Sequence, residues 1–371
     1  MSLASLETPR LVLDAGRMEA NVSRLKKHLA SLGARLRPHV KTCKSIEVAR
    51  GLMQSPAGPI TVSTLKEAEK FLAHGVTEIL YAVGIAPGKL DHVTALRGRG
   101  ADLAVVVDNV EAAQAVAARG AGIPTLIEID SDGHRAGVKP GHPLLADIAK
   151  VLARGAKPLG VMTHAGASYN CRSTQEIADM AEQERGAVVR SAAALRSAGF
   201  ACPVVSVGST PTATFARSLE GVTEVRAGVF VFHDLVMAGL GVCRVDDIAI
   251  SVLATVIGHQ AEKGWIITDG GWMAMSRDRG TARQPLDQGY GLVCDESGRP
   301  VDDLIVSDAN QEHGIVSRRG GAPLDVSRYP VGTRFRILPN HACATAAQHD
   351  AYHVVRGGPE VLARWPRFSG W

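Results

Sequence analysis

Hydrophobic positions in this chain follow two textures, one after the other. Short β-branched runs occur near residues 36–41, 60–63, 78–82, 103–107, 125–130, 159–164, 203–208 and 223–227. Between them lie amphipathic, alanine-rich segments such as Leu65 to His74, Val110 to Arg119 and Thr174 to Ala198. Strands alternating with helices predict parallel βαβ units. Eight such strands within roughly 200–250 residues are the number and length of a TIM-type (β/α)8 barrel. An open doubly wound sheet uses similar units, but no GxGxxG follows the first strand.

Beyond Met237 the pattern changes. Asp247 to His259, Trp265 to Asp269, Gly291 to Cys294, Gly314 to Ser317 and Arg334 to Leu338 read as strands divided by Gly, Pro, Asp and Asn turns. The expected fold class is therefore α/β, a barrel followed by a smaller, mostly-β C-terminal domain. Residues 15–237 are assigned to the barrel. Residues 1–14 and 238–371 are assigned to the β-rich domain, although the apolar run Leu11 to Asp14 could join either part. A helix is expected from Met18 to Leu32. No low-complexity linker separates the two textures.

Arg35 to Ser45 is the oddest stretch. In an extended strand Arg37, His39 and Lys41 share one face and Leu36, Pro38 and Val40 the other. A solvated edge strand would explain this simply, except that a helix-like run follows at once. A barrel puts functional groups at the C-terminal ends of its strands. Polar residues gather there: His39 and Lys41, then Ser63 and Thr64, Tyr81, Asp108 and Asn109. They continue with Glu128 to Gly137, Thr163 to Tyr169, Ser206 to Thr210 and Arg226 to Gly228. Ser206-Val207-Gly208-Ser209-Thr210-Pro211-Thr212 offers N–H groups and hydroxyls to an anion, although an ordinary capped turn has the same composition. Lys41 opposite such a loop suggests a lysine that forms a Schiff base with pyridoxal phosphate; the plain alternative is a solvated lysine. His341-Ala342-Cys343, read as a strand, puts an imidazole and a thiol on one face, a donor pair for zinc or a similar ion. The plain alternative is a buried Cys beside a surface His.

Composition narrows the classes. The 371 residues are 46% hydrophobic and 21% charged, with a net charge of +4. That describes a globular enzyme-sized chain and argues against a nucleic-acid partner. No apolar run reaches the roughly 20 residues of a membrane span, so no membrane partner is expected. No basic region precedes an apolar one at the start, so no signal peptide is expected. Six scattered cysteines without a CxxC pair fit a reduced, cytoplasmic protein.

These motifs together resemble the D-serine dehydratase and D-threonine aldolase family, fold-type III pyridoxal-phosphate enzymes related to alanine racemase. The resemblance rests on Thr8 to Asp14, Arg37 to Ser45, Asp132 to Val138, His164 to Tyr169, Ser206 to Thr212 and Glu224 to Gly228. It continues through Asp269 to Ser276, Gln311 to Gly314 and Pro339 to Thr345. It implies that Lys41, not Lys44, carries the cofactor. Arg135 would contact the pyridoxal ring, Tyr169 would lie near cofactor and substrate, and Gly208, Ser209 and Thr210 would cradle the phosphate. His39, Arg226 and Gly228 are expected around the same cofactor.

His341 and Cys343 would hold a divalent metal: zinc, manganese or magnesium. His-x-Cys rather than His-x-Asp tilts the expectation from aldolase to dehydratase. The expected reaction turns a small 3-hydroxy D-amino acid, such as D-threo-3-hydroxyaspartate or D-serine, into a 2-oxo acid and ammonia. Lys41 is the first candidate base, with Tyr169 and His164 behind it. A D-threonine-type aldolase is the alternative. A racemase, which needs a second base, and a non-catalytic pyridoxal-phosphate carrier follow. A homodimer is expected from the family habit. Arg277, Arg279 and Arg283 are candidates for a second substrate carboxylate, and each reads more simply as a solvated surface residue.

Overall fold

A computed structural model describes residues 2–371. The chain divides into two compact units: Arg24–Gly228 with Ser369–Trp371, and the chain up to Ser23 with Val229–Phe368.

The first strand, β1 (Arg10–Asp14), belongs to the second unit and is followed by a helix, Ala15–Ser31. The eight strands of the other unit are β2 (Arg35–Pro38), β3 (Ile60–Val62), β4 (Glu78–Gly84), β5 (Asp102–Val107), β6 (Pro124–Ile129), β7 (Lys157–Thr163), β8 (Val204–Val207) and β9 (Glu224–Ala227). They form one parallel sheet in the order β2-β9-β8-β7-β6-β5-β4-β3. The ring closes at a narrow seam. His39 bridges Thr61, and Val40 N–H donates to the Thr61 carbonyl at 2.9 Å. The predicted barrel is therefore present, with Leu80, Val106, Leu126 and Met162 packed together as a core.

One strand departs from the sequence reading. The run expected at 36–41 stops at Pro38, and Lys41 lies in a turn. The reason is local: Lys44 N–H returns to the Val40 carbonyl at 2.8 Å, which ends the extended chain.

The β-rich unit continues with β10 (Ile250–Gln260), β11 (Trp265–Thr268), β12 (Gly291–Cys294), β13 (Pro300–Ala309), β14 (Gly314–Arg318), β15 (Arg334–Pro339), β16 (Ala351–Val355) and β17 (Ala363–Pro366). Strands β10, β11, β14, β13, β12 and β15 pair in an antiparallel ring, which leaves those six without a free edge. β1 adds to β10 antiparallel and to β16 in parallel, so Leu11 to Asp14 joins this sheet. The sequence reading missed β13, β16 and β17. Asp302, Asp303 and Asp308 interrupt β13, and its register shifts between Val306 and Asp308, so its alternation is broken.

Candidate active site

At the barrel's first strand, charge is buried and fully paired. Arg37 Nε donates to both carboxylate oxygens of Glu224 at 3.0 and 2.9 Å, and Arg35 adds a contact at 2.9 Å. Burial is the largest influence on Glu224 and opposes its ionisation, but the charges of Arg37 and Arg35 and the hydrogen bonds from Arg37 and Ser206 together outweigh it, and the carboxyl titrates below its usual range. Ser206 Oγ donates to Glu224 at 3.0 Å and accepts from Arg226 Nε at 3.0 Å, while Arg226 also reaches the Thr163 carbonyl. Burial, opposed by Glu224, lowers the pKa of Arg226.

Above this layer, the expected cofactor residues all come from turns after strands or from the last strand itself. Lys41 follows β2 and is exposed; among the described residues it has no hydrogen-bond or ion-pair partner. Lys44, three residues on, is paired with the buried Glu67 at 3.2 Å. His39 Nδ1 and the fully buried Thr61 Oγ1 are unsatisfied. Burial, then the charges of Lys41 and Arg226, hold His39 well below the usual histidine pKa. His164 donates from Nδ1 to the Gly208 carbonyl at 2.7 Å, which fixes the neutral tautomer with Nε2 as acceptor. Burial pulls its pKa down to about 4.

Gly208 is at φ +146°, where an added Cβ would lie 1.8 Å from the Arg226 carbonyl oxygen, so only glycine fits. Gly228 is pressed similarly against His39 and Thr42. Ser209 caps the helix Thr210–Phe215 through a capping box with Thr212. The N–H groups of Gly208 and Ser209 are already taken, by Glu184 and by Thr212 Oγ1. Ser209 Oγ lies 2.9 Å from both Ser168 Oγ and Thr212 Oγ1. Tyr169 is exposed in a short 3-10 helix, Gly166–Asn170. Arg135 reaches Glu128 at 3.3 Å from an exposed loop.

In the β-rich unit, His341 and Cys343 do not lie on a strand as expected. His341 is the extended residue before the helix Ala342–Ala346, and Cys343 lies in its first turn. The two side chains nonetheless hydrogen-bond each other. Asp278 Oδ2 accepts from His341 Nδ1 at 2.6 Å, which commits that nitrogen and leaves Nε2 as the one a metal could use. Burial works against a charged His341, but Asp278 and Cys343 lift its pKa to about 11. Buried Asp234, pushed up to about 6 by burial, accepts from Ala342 N–H at 2.9 Å and steadies the same turn. Among the described residues no third His, Cys, Asp or Glu completes a metal-binding group. Arg279 is paired with Asp287 at 2.8 Å, and Arg277 lies over Trp272, 5.0 Å from the ring centre.

Both donor sets fit the expected groups. An unpaired lysine amine beside two neutral histidines suits an aldehyde cofactor, and an imidazole braced by a carboxylate beside a thiol suits a soft divalent ion. Sequence reasoning missed Glu184 and Asp278. Glu184 was detectable as a carboxylate on the apolar face of its helix; Asp278 carries no such signal.

Residues 13–235 match the alanine racemase N-terminal domain, and residues 249–355 match the putative serine dehydratase domain. The chain belongs to this alanine racemase-like family of pyridoxal-phosphate enzymes, within its dehydratase and aldolase group, and is a lyase. Among individual proteins, it is 54% identical to the D-threo-3-hydroxyaspartate dehydratase of Delftia sp. (strain HT23), covering 100% of this chain and 99% of the relative. Two structures of D-threo-3-hydroxyaspartate dehydratase variants, each 54% identical, superpose with TM-scores of 0.98, covering 100% of this chain and 97% and 100% of theirs. One carries a histidine-to-alanine change. The other carries a cysteine-to-alanine change two positions later and is metal-free. A D-serine dehydratase of Dictyostelium discoideum is 29% identical over 99% of this chain and 98% of the relative. A D-threonine aldolase of Arthrobacter sp. is also 29% identical, over 96% and 91%.

Proposed function

We propose that this chain is a dehydratase of 3-hydroxy D-amino acids, D-threo-3-hydroxyaspartate first among them, releasing a 2-oxo acid and ammonia. The observation that carries the reading is the His341–Cys343 pair braced by Asp278, the same His-x-Cys spacing at which the dehydratase variants were made.

Bound pyridoxal phosphate, carried on Lys41, would hold the substrate amine and accept electron density when the α-proton leaves. A metal on His341 and Cys343 would act as Lewis acid on the 3-hydroxyl. The chain's own residues do the rest. Lys41 Nζ, without a competing partner, takes the α-proton once the substrate amine has displaced it. His164 stays neutral and keeps its Nδ1–H on Gly208, and so supports the phosphate turn. Tyr169 is the second candidate for proton transfer. The Ser209 hydroxyl and Thr210 orient the phosphate, while Arg226 and Glu224 keep the barrel interior charged, paired and closed to bulk water.

Product analysis on D-threo-3-hydroxyaspartate tests this directly. Ammonia with a 2-oxo acid is the expected outcome; glycine and an aldehyde would make the chain an aldolase. The reading extends to a cytoplasmic homodimer, in keeping with six free cysteines, and sedimentation of the purified protein tests the dimer.

A further inference from the structure

Glu184 is a buried carboxylate in the middle of the helix Thr174–Ser197, on the face that buries Ile177, Ala181, Val188 and Leu195. A charge there is costly unless its oxygens are satisfied. The partners that satisfy it lie in two turns that follow strands and at the start of the short helix Thr210–Phe215. Oε1 accepts from Ala165 N–H and from Gly208 N–H, both at 3.0 Å, and the Thr212 hydroxyl bonds the same carboxylate. These groups belong to the turn that carries His164 and the turn that carries Ser209 and Thr210. Gly208 is thus gripped at both ends, its N–H by Glu184 and its carbonyl by His164.

The grip extends to the next residue. Thr212 Oγ1 accepts from Ser209 N–H at 3.2 Å and lies 2.9 Å from Ser209 Oγ. Ser168, whose hydroxyl donates to the Ala165 carbonyl at 2.7 Å, lies 2.9 Å from Ser209 Oγ on the other side. Ser209 is thus held between residues of the two turns that Glu184 ties together.

We infer that Glu184 is a positioning residue for the phosphate end of the cofactor. It fixes Gly208 and, through it, the turn that carries Ser209 and Thr210. This deepens the proposed function and rests on its cofactor assignment.

The test compares the affinities of apo-protein for pyridoxal phosphate and for pyridoxal, which lacks the phosphate. Glu184→Gln keeps an acceptor for the two N–H groups, but a neutral and weaker one, and loosens the turn without emptying the site. The ratio of the two affinities should fall about tenfold in Glu184→Gln, with pyridoxal affinity unchanged within about twofold. Glu184→Ala should lower the ratio further. Equal loss of both ligands, or an unchanged ratio, would overturn the inference while leaving the cofactor reading intact. Failure of both variants to give the wild-type circular dichroism would also overturn it, making Glu184 purely a folding residue. Wild-type protein that prefers neither ligand would remove the cofactor reading itself, and the inference with it.

Discussion

Lys44 Nζ lies 3.2 Å from Oε1 of the buried Glu67, whereas Lys41, on the same turn, has no partner. The two lysines of one motif are thereby separated into different tasks. Lys41→Ala should lose both turnover and the visible absorbance of the bound cofactor. Lys44→Ala should keep the absorbance but lose on the order of 2 kcal/mol of stability, because Glu67 is left buried without its counter-charge. Spectra and urea unfolding of the two variants, side by side, distinguish these roles. A Lys41→Ala protein that kept the cofactor band would defeat the assignment.

Asp278 holds His341 through Nδ1 and, in the proposed metal site, would govern how well the ion is bound without touching it. Asp278→Asn should weaken metal affinity by about 10–100-fold. Chelation of the wild type should abolish turnover and leave the cofactor absorbance in place. Metal titration followed by activity and by absorbance separates the two effects; undiminished turnover in metal-free protein would exclude the Lewis-acid role.

His164 titrates near 4 in the folded chain, against 6.5 for the ordinary group. The unfolded chain therefore binds the extra proton between these values. Stability rises with pH through this window and is lost as pH falls from 6.5 towards 4. His39 is displaced the same way. The His164 contribution is on the order of 2 kcal/mol. Chemical unfolding of apo-protein at pH 4.5 and 7 should show the slope, and His164→Asn should flatten part of it. An equal slope in both proteins would contradict the burial of a neutral imidazole.

Gly208→Ala would bring a methyl group to 1.8 Å from the Arg226 carbonyl oxygen, and no flexible side chain there can yield. The substitution should cost more than about 3 kcal/mol and lower the melting temperature before any effect on catalysis is considered. A variant with wild-type melting behaviour would show that the turn can open.

Much of this was legible in the sequence, for a physical reason. Parallel barrel strands are buried on both faces, so they read as apolar runs, and all eight were visible. The cofactor turns were legible because barrels concentrate polar groups after strands. Legibility failed where a tight turn or a distant contact decides. Pro38 ends β2 because Lys44 folds back on Val40, and nothing in 36–41 signals it. His341 and Cys343 were expected on a strand, yet they meet because His341 precedes a helix. Asp278 finds His341 across 63 residues, a distance no local pattern encodes.

The seam of the barrel has a consequence for how the protein matures. β2 is held along its length by β9, nearly two hundred residues away, but among the described residues its main chain meets the β3 side only at His39 and Val40. Lys41 is the next residue after that junction. The proposed nucleophile therefore takes its folded place only when the ring is shut, after the whole barrel sequence has emerged and docked. Capture of the aldehyde at this lysine would then be a chemical receipt for completed folding.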